Sequence, residues 1–335
     1  MEVNLNKYYR CKVNKEVLKE LSKKSDLKGF IHIIVFFSFL VTSGYLVFYT
    51  WGTWWSIIWI FIYGNIYSFA NAIWHETGHR TAFKSNIFNE IFYYISCYMA
   101  CFEPTRWRYT HFIHHGNTYS TENPYDHEIE YQNDLKKTPI KLISEITPFS
   151  NLFYIKNDIT FEVAKHALGI ETKVMRDSIP VQARSRCIFI SRIYVFIWLT
   201  VVSISIYIGS WLPLLYFVLP HFYGKTIHKL VAFTQHAGLA RDVKDLRLST
   251  RDMLLNPILS FLYWKMEYHC VHHMFPNIPS YNLDKLYRHI KDQLPEPKNG
   301  LLDAYKEIIP ALKHQAKDPK YSINVKLPLN ETVSA

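Results

Sequence analysis

From Gly29 to Trp74 the chain runs for 46 residues without an Asp, Glu, Lys or Arg. A helix crosses the hydrocarbon of a bilayer in about 20 residues, and in lipid only a helix or a closed barrel satisfies its own backbone. The stretch therefore predicts two membrane helices, at about 30–50 and 54–74, with a break near Thr50-Trp51-Gly52. A second uncharged stretch, Ile193 to Gly224, predicts two more. It extends back past Arg192, whose long side chain can reach the interface, and forward to about Gln235. These spans fall at about 188–208 and 212–234, with Gly209 and Pro213 at the turn. Ile87–Phe102 is apolar apart from Asn89 and Glu90; too short to cross twice, it reads as an interfacial or re-entrant element.

The turns near 50–53 and 209–212 hold no Lys or Arg, whereas the N-terminal segment, residues 75–187 and the C-terminal region are rich in both. Lys and Arg mark cytoplasmic segments, so the N-terminus, the C-terminus and the region between the hairpins are expected on the cytosolic side. The predicted architecture is all-α: a multi-pass membrane protein with four transmembrane helices in two hairpins and a cytosolic helical cap. A basic segment 1–29 precedes a membrane domain 30–314, and the polar tail 315–335, without apolar periodicity, is expected to be flexible. Segment 1–29 holds eight Lys/Arg ahead of the first apolar run at Phe30, unlike a cleaved signal peptide. Cytosolic loops account for the net charge of +10, so no nucleic-acid partner is expected. The cysteines (Cys11, Cys97, Cys101, Cys187, Cys270) show neither a disulfide framework nor a zinc pair.

Nine of the 16 histidines form a pattern. His75-Glu-Thr-Gly-His79 follows the second predicted span, and helical residues four apart share a face. His111-Phe-Ile-His114-His115 and His269-Cys-Val-His272-His273 share the spacing HxxHH. His236 stands alone just past the fourth predicted span. Pro104 suits a first helical turn and Gly116 a position just past a helix end, predicting a helix that ends on His115. Asn256-Pro257 is a start signal and Phe275-Pro276 a stop, predicting one helix that ends after His273. The remaining histidines read as structural.

Nine imidazoles exceed what one zinc ion takes, whereas two six-coordinate ions accommodate them with positions to spare for oxygen or water. Imidazole suits iron, copper, zinc and nickel alike. Cysteine ligation is absent, which argues against an iron–sulfur centre. Ferritin-like centres need two Glu-x-x-His pairs, and only Glu76-x-x-His79 fits. Ligating histidines commonly give their second nitrogen to a carboxylate; Glu76, Asp126, Asp242 and Asp245 lie near the clusters in sequence and are candidates for that supporting role.

HxxxH, HxxHH and HxxHH after paired membrane helices resemble the three histidine boxes of the membrane fatty-acid desaturase and hydroxylase superfamily. The resemblance covers roughly residues 30–300. Thr234–Asp245 and Tyr268–Pro276 look most like the bacterial branch that includes the rhizobitoxine-biosynthesis desaturase. It implies a centre of two iron ions (Fe2+) held by His75, His79, His111, His114, His115, His236, His269, His272 and His273, with O2 as co-substrate. It further implies a lipid or acyl-carrier substrate and a separate electron donor of ferredoxin or cytochrome b5 type, since no fused cytochrome b5 haem motif is present. The implied reaction is desaturation of an alkyl chain; hydroxylation of an alkyl or small-metabolite substrate uses the same ligands and is the alternative. His75-Glu76-x-x-His79 also matches the HExxH of metalloproteases, with Glu76 as base. That reading leaves seven patterned histidines unused. A metal transporter would place its ligands inside the spans, where these are not.

Overall fold

The computed structural model describes residues 8–122, 124–129, 138–150 and 158–328, and no strand forms among them. α1 (Lys15–Leu21) lies in the basic N-terminal segment. α2 (Asp26–Tyr49) starts at Ser25, whose hydroxyl accepts from the Lys28 N–H, and exposes Ile31, Ile34, Phe39, Val41 and Phe48 along its length. After a turn through Gly52 (φ 85°), α3 (Trp55–Ser68) packs back on it and continues into α4 (Ala70–Gly78). α5 (Asn86–Met99) packs on α4 and occupies the stretch expected to be interfacial. α6 (Pro104–Gly116) is fixed at its start by Glu103, whose carboxylate accepts from the N–H groups of Thr105 and Arg106. Gly116 is its last helical residue, not the one beyond. α7 (Thr138–Ile146), α8 (Ile159–Ala167) and α9 (Lys173–Ser178) lead to α10 (Val181–Ile208), which ends on Gly209 in the left-handed region.

Among the described residues, three helical stretches are long and apolar enough to cross a membrane: Asp26–Tyr49, Trp55–Gly78 and Val181–Ile208. The fourth expected span is broken into α11 (Leu212–Phe217), α12 (Pro220–Tyr223) and α13 (Thr226–Phe233). Pro220 lacks an N–H and its ring excludes the carbonyl four residues earlier, which is that of Tyr216. That freed carbonyl accepts instead from the Tyr63 hydroxyl (3.0 Å), and the Leu215 carbonyl accepts from the Tyr223 hydroxyl (2.7 Å). Asn65 Oδ1 accepts from the Ile227 N–H (2.8 Å) in the first turn of α13. Between these two contacts Gly64 meets Gly224 backbone to backbone. Tyr63-Gly64-Asn65 of α3 thus supplies what the interrupted segment lost, as apolar surroundings require.

The chain then forms α14 (Leu246–Ser249), α15 (Pro257–Leu262), α16 (His269–Met274), α17 (Ser280–Ile290) and α18 (Gly300–Gln315). The single helix expected from Asn256 to His273 is two. Asn256 caps α15 as expected, accepting from the N–H groups of Ile258 and Leu259. The break comes at Trp264 (φ 52°) and Lys265 (φ 57°), where left-handed backbone costs roughly 1–2 kcal/mol per residue. Tertiary contacts offset that cost. Trp264 is fully buried and stacks on His32 of α2 with ring centroids 4.0 Å apart, while His32 Nε2 donates to the Phe261 carbonyl (2.7 Å). The second triplet therefore opens a short helix instead of closing a long one. Of the tail from residue 315 on, the described part folds back on the segment after α13: Ile323 N–H donates to the Gly238 carbonyl (2.8 Å).

Candidate metal centre

Four segments deliver the nine patterned histidines to one place. α4 carries His75 and leads directly to His79; α6 carries His111, His114 and His115; α16 carries His269, His272 and His273; His236 lies just beyond α13. They fall into two groups, each with ligand atoms within 4.8 Å of one another: His75, His79, His111, His115 and His272, and then His114, His236, His269 and His273. Each HxxHH triplet straddles both groups. Consecutive helical residues point about 100° apart, so α6 gives His111 and His115 to the first group and His114 to the second. α16 does the reverse, giving His272 to the first and His269 and His273 to the second.

The Nε2 atoms face one another. Separations are 2.8 Å for His79–His111, 3.2 Å for His115–His272, 3.1 Å for His114–His273 and 3.0 Å for both His269–His273 and His236–His269. Nitrogens bound to one metal ion at about 2.0–2.1 Å lie about 3 Å apart, so each group is close enough to share an ion.

The opposite ring nitrogens show why the Nε2 atoms are free to bind. His114 Nδ1 donates to Asp126 (2.8 Å), His236 Nδ1 to the Ser249 carbonyl (2.8 Å), His273 Nδ1 to the Thr118 hydroxyl (3.1 Å), and His111 Nδ1 to Glu128 (2.9 Å). The Gln235 amide nitrogen lies 3.0 Å from His269 Nδ1; the amide turned over would present its oxygen to an N–H there. With the protons held outward, several lone pairs converge on each small volume, an arrangement that a cation stabilises. Burial and neighbouring imidazoles hold His115, His269, His272 and His273 well below the usual histidine range, hence neutral as metal ligation needs. Burial pulls His114 down too, but the charges of Asp126 and Glu128 outweigh it and push it up to about 9. The residues present fit a pair of metal ions.

The four carboxylates singled out from sequence part company. Asp126, fully buried, touches His114. Glu76 accepts from the Ser280 N–H (3.0 Å) at the start of α17. Asp242 accepts from the N–H and hydroxyl of Thr121, and Asp245 pairs with Arg247 (2.8 Å). Glu128, Thr118 and Gln235 were not legible as partners: each reaches its histidine through the fold, apart from the hint in the acidic run Asp126-His127-Glu128. His75 and His79 are half-buried while the other seven are buried, so the centre opens on the side of the first box. Tyr63, Tyr67 and Trp264 are buried, whereas Trp54 and Trp55 are exposed at the turn between α2 and α3.

A family model described as fatty acid desaturase matches residues 49–303, a stretch that contains all nine histidines. Comparison with curated proteins returns no match.

Proposed function

The chain belongs to the fatty acid desaturase family, and from that premise we propose that it is an oxygen-dependent desaturase whose two histidine groups each hold an iron ion. Membership makes it an oxidoreductase of the membrane, with a lipid or acyl substrate. The observation that carries the proposal is the gathering of nine buried or half-buried imidazoles into groups of five and four whose ligand atoms lie within 4.8 Å of one another. The bound iron pair supplies the oxidising chemistry: one O2, two electrons from a separate ferredoxin- or cytochrome b5-type donor and two protons combine with two hydrogens from adjacent carbons, leaving an alkene and two waters.

The chain's own residues do the rest. Asp126, Thr118, the Ser249 carbonyl and Glu128 hold Nδ1 protons and so aim Nε2 lone pairs inward. Burial of seven of the nine rings excludes bulk water from the centre. Access is left beside His75 and His79, where an alkyl chain is to enter. In this reading α11–α13 complete a fourth crossing, its break held by α3, so that His236 emerges on the same side as the boxes. The basic loops support a cytosolic position for that side and for both termini. Residues 234–245 and 268–276 support placement in the branch that includes the rhizobitoxine-biosynthesis desaturase.

The test is mass spectrometry of total acyl chains from a host expressing the protein, beside a His272→Ala version, with metal analysis of both. Chains that lose two hydrogens only with the intact site, in a protein holding two irons, are the expected result. A gained oxygen would make it a hydroxylase instead. A purified protein without two irons would overturn the proposal.

A further inference from the structure

We propose that the two metal positions are unequal: the four-histidine group is the tighter and fills first, with Asp126 and Thr118 as its positioning residues. This rests on the two-iron reading above. Every ring of the four-histidine group has a partner at Nδ1: Asp126 for His114, the Ser249 carbonyl for His236, Gln235 for His269 and Thr118 for His273. The supports are themselves held. Asp126 also accepts from the N–H groups of Tyr119 (2.9 Å) and Glu128 (3.0 Å), and the Thr118 hydroxyl donates to the His114 carbonyl (2.8 Å).

The five-histidine group differs. His111 has Glu128, but the Nδ1 atoms of His75, His115 and His272 are buried and have no hydrogen-bond partner among the described residues. A neutral imidazole carries one proton, and a metal at Nε2 forces that proton onto Nδ1. In the four-histidine group this makes hydrogen bonds at His114, His236 and His273, each of which has an acceptor oxygen at Nδ1. At His115 and His272, whose Nε2 atoms face each other, it buries two N–H groups that nothing among the described residues accepts, each a desolvation cost comparable to a lost hydrogen bond. Before loading, those rings have no acceptor that selects the binding tautomer. The fifth imidazole adds one ligand against two such penalties. Partners of this kind change metal affinity by roughly 10–100-fold when removed, which sets the scale of the difference.

The experiment is an anaerobic Co2+ titration of metal-free full-length protein in lipid nanodiscs, followed by ligand-field absorption and by counting bound metal. Two steps of one ion each, separated by about 10-fold or more, are expected. Asp126→Asn and Thr118→Val should each weaken the tighter step by about 10–100-fold and spare the other, while Glu128→Gln should weaken the looser step. Thr118→Val keeps the side chain's shape and decides the matter if Asp126→Asn fails to fold. Two ions binding in a single step, or Thr118→Val acting on the looser step, would overturn the inference while leaving the two-iron reading intact. Failure of the unaltered protein to take up two ions would sink both.

Discussion

Gly224→Ala tests whether the contact between α3 and the interrupted segment holds the centre together. A Cβ on Gly224 would lie 2.2 Å from the carbonyl carbon and oxygen of Gly64 and 2.5 Å from its Cα. These are backbone atoms that no rotamer change can move. Restoring van der Waals distance requires the two backbones to part by about 1.2 Å, an overpacking strain of roughly 1–3 kcal/mol or more. The same displacement stretches the flanking hydrogen bonds, now 3.0 Å from Tyr63 and 2.8 Å from Asn65, to about 4 Å, beyond any useful geometry. Two buried bonds with stranded partners add about 1–3 kcal/mol each. The total, about 3–9 kcal/mol, rivals the whole stability of a typical domain, about 5–15 kcal/mol. The crossing also sits upstream of two ligand segments: α3 leads to His75, and α12 leads through α13 to His236. Size-exclusion profile, thermal aggregation in mild detergent and iron content should all deteriorate together. Gly44→Ala is the control, because its Cβ would meet side-chain atoms alone, two Tyr63 ring carbons at 3.2 and 3.4 Å and a Tyr216 ring carbon at 3.8 Å, and it should cost within about 1–2 kcal/mol. A Gly224→Ala protein as stable and as iron-loaded as the unaltered one would refute the reasoning.

Arg251→Met should lower thermal stability by about 1–3 kcal/mol for each of the Thr234 and Ala237 carbonyls it frees beside His236, while Glu307 keeps its pair with Lys298 (2.6 Å); an unchanged melting profile would contradict this. Glu76→Gln keeps an acceptor for the Ser280 N–H and should retain oxidation, whereas Glu76→Ala should cost about 1–3 kcal/mol in a thermal scan. Loss of all chemistry in a well-folded Gln variant would move Glu76 from anchoring α17 into the reaction. All five cysteines are buried, and burial pushes Cys11 and Cys101 up to about 12. Maleimide at pH 7 should therefore leave the folded protein unlabelled and modify five thiols only in denaturant; rapid labelling of the native protein would show the packing to be wrong.

Much of the centre was legible because its signals are local. Four-residue spacing puts His75 with His79, His111 with His115 and His269 with His273 on common helix faces, and each of these pairs does share one group. What lies between neighbours was not legible. His114 and His115 diverge to separate groups, and which group each joins depends on where α4, α6 and α16 meet. The interrupted fourth segment left traces in Pro220, Gly224 and Lys225, which an apolar average conceals; its partners Tyr63, Gly64 and Asn65 lie in the other hairpin. The break after α15 left fewer still, since Tyr263–Tyr268 contains neither Gly nor Pro, and Trp264 takes its conformation from a ring on α2. Those long-range contacts are also what orient the rings. A histidine's place on a helix is set by residues three or four away, but the nitrogen it turns inward is set by Asp126, Glu128, Thr118 or a carbonyl brought from elsewhere in the fold. Substitutions at those partners should accordingly alter how the metal is held while the histidine spacing itself stays intact.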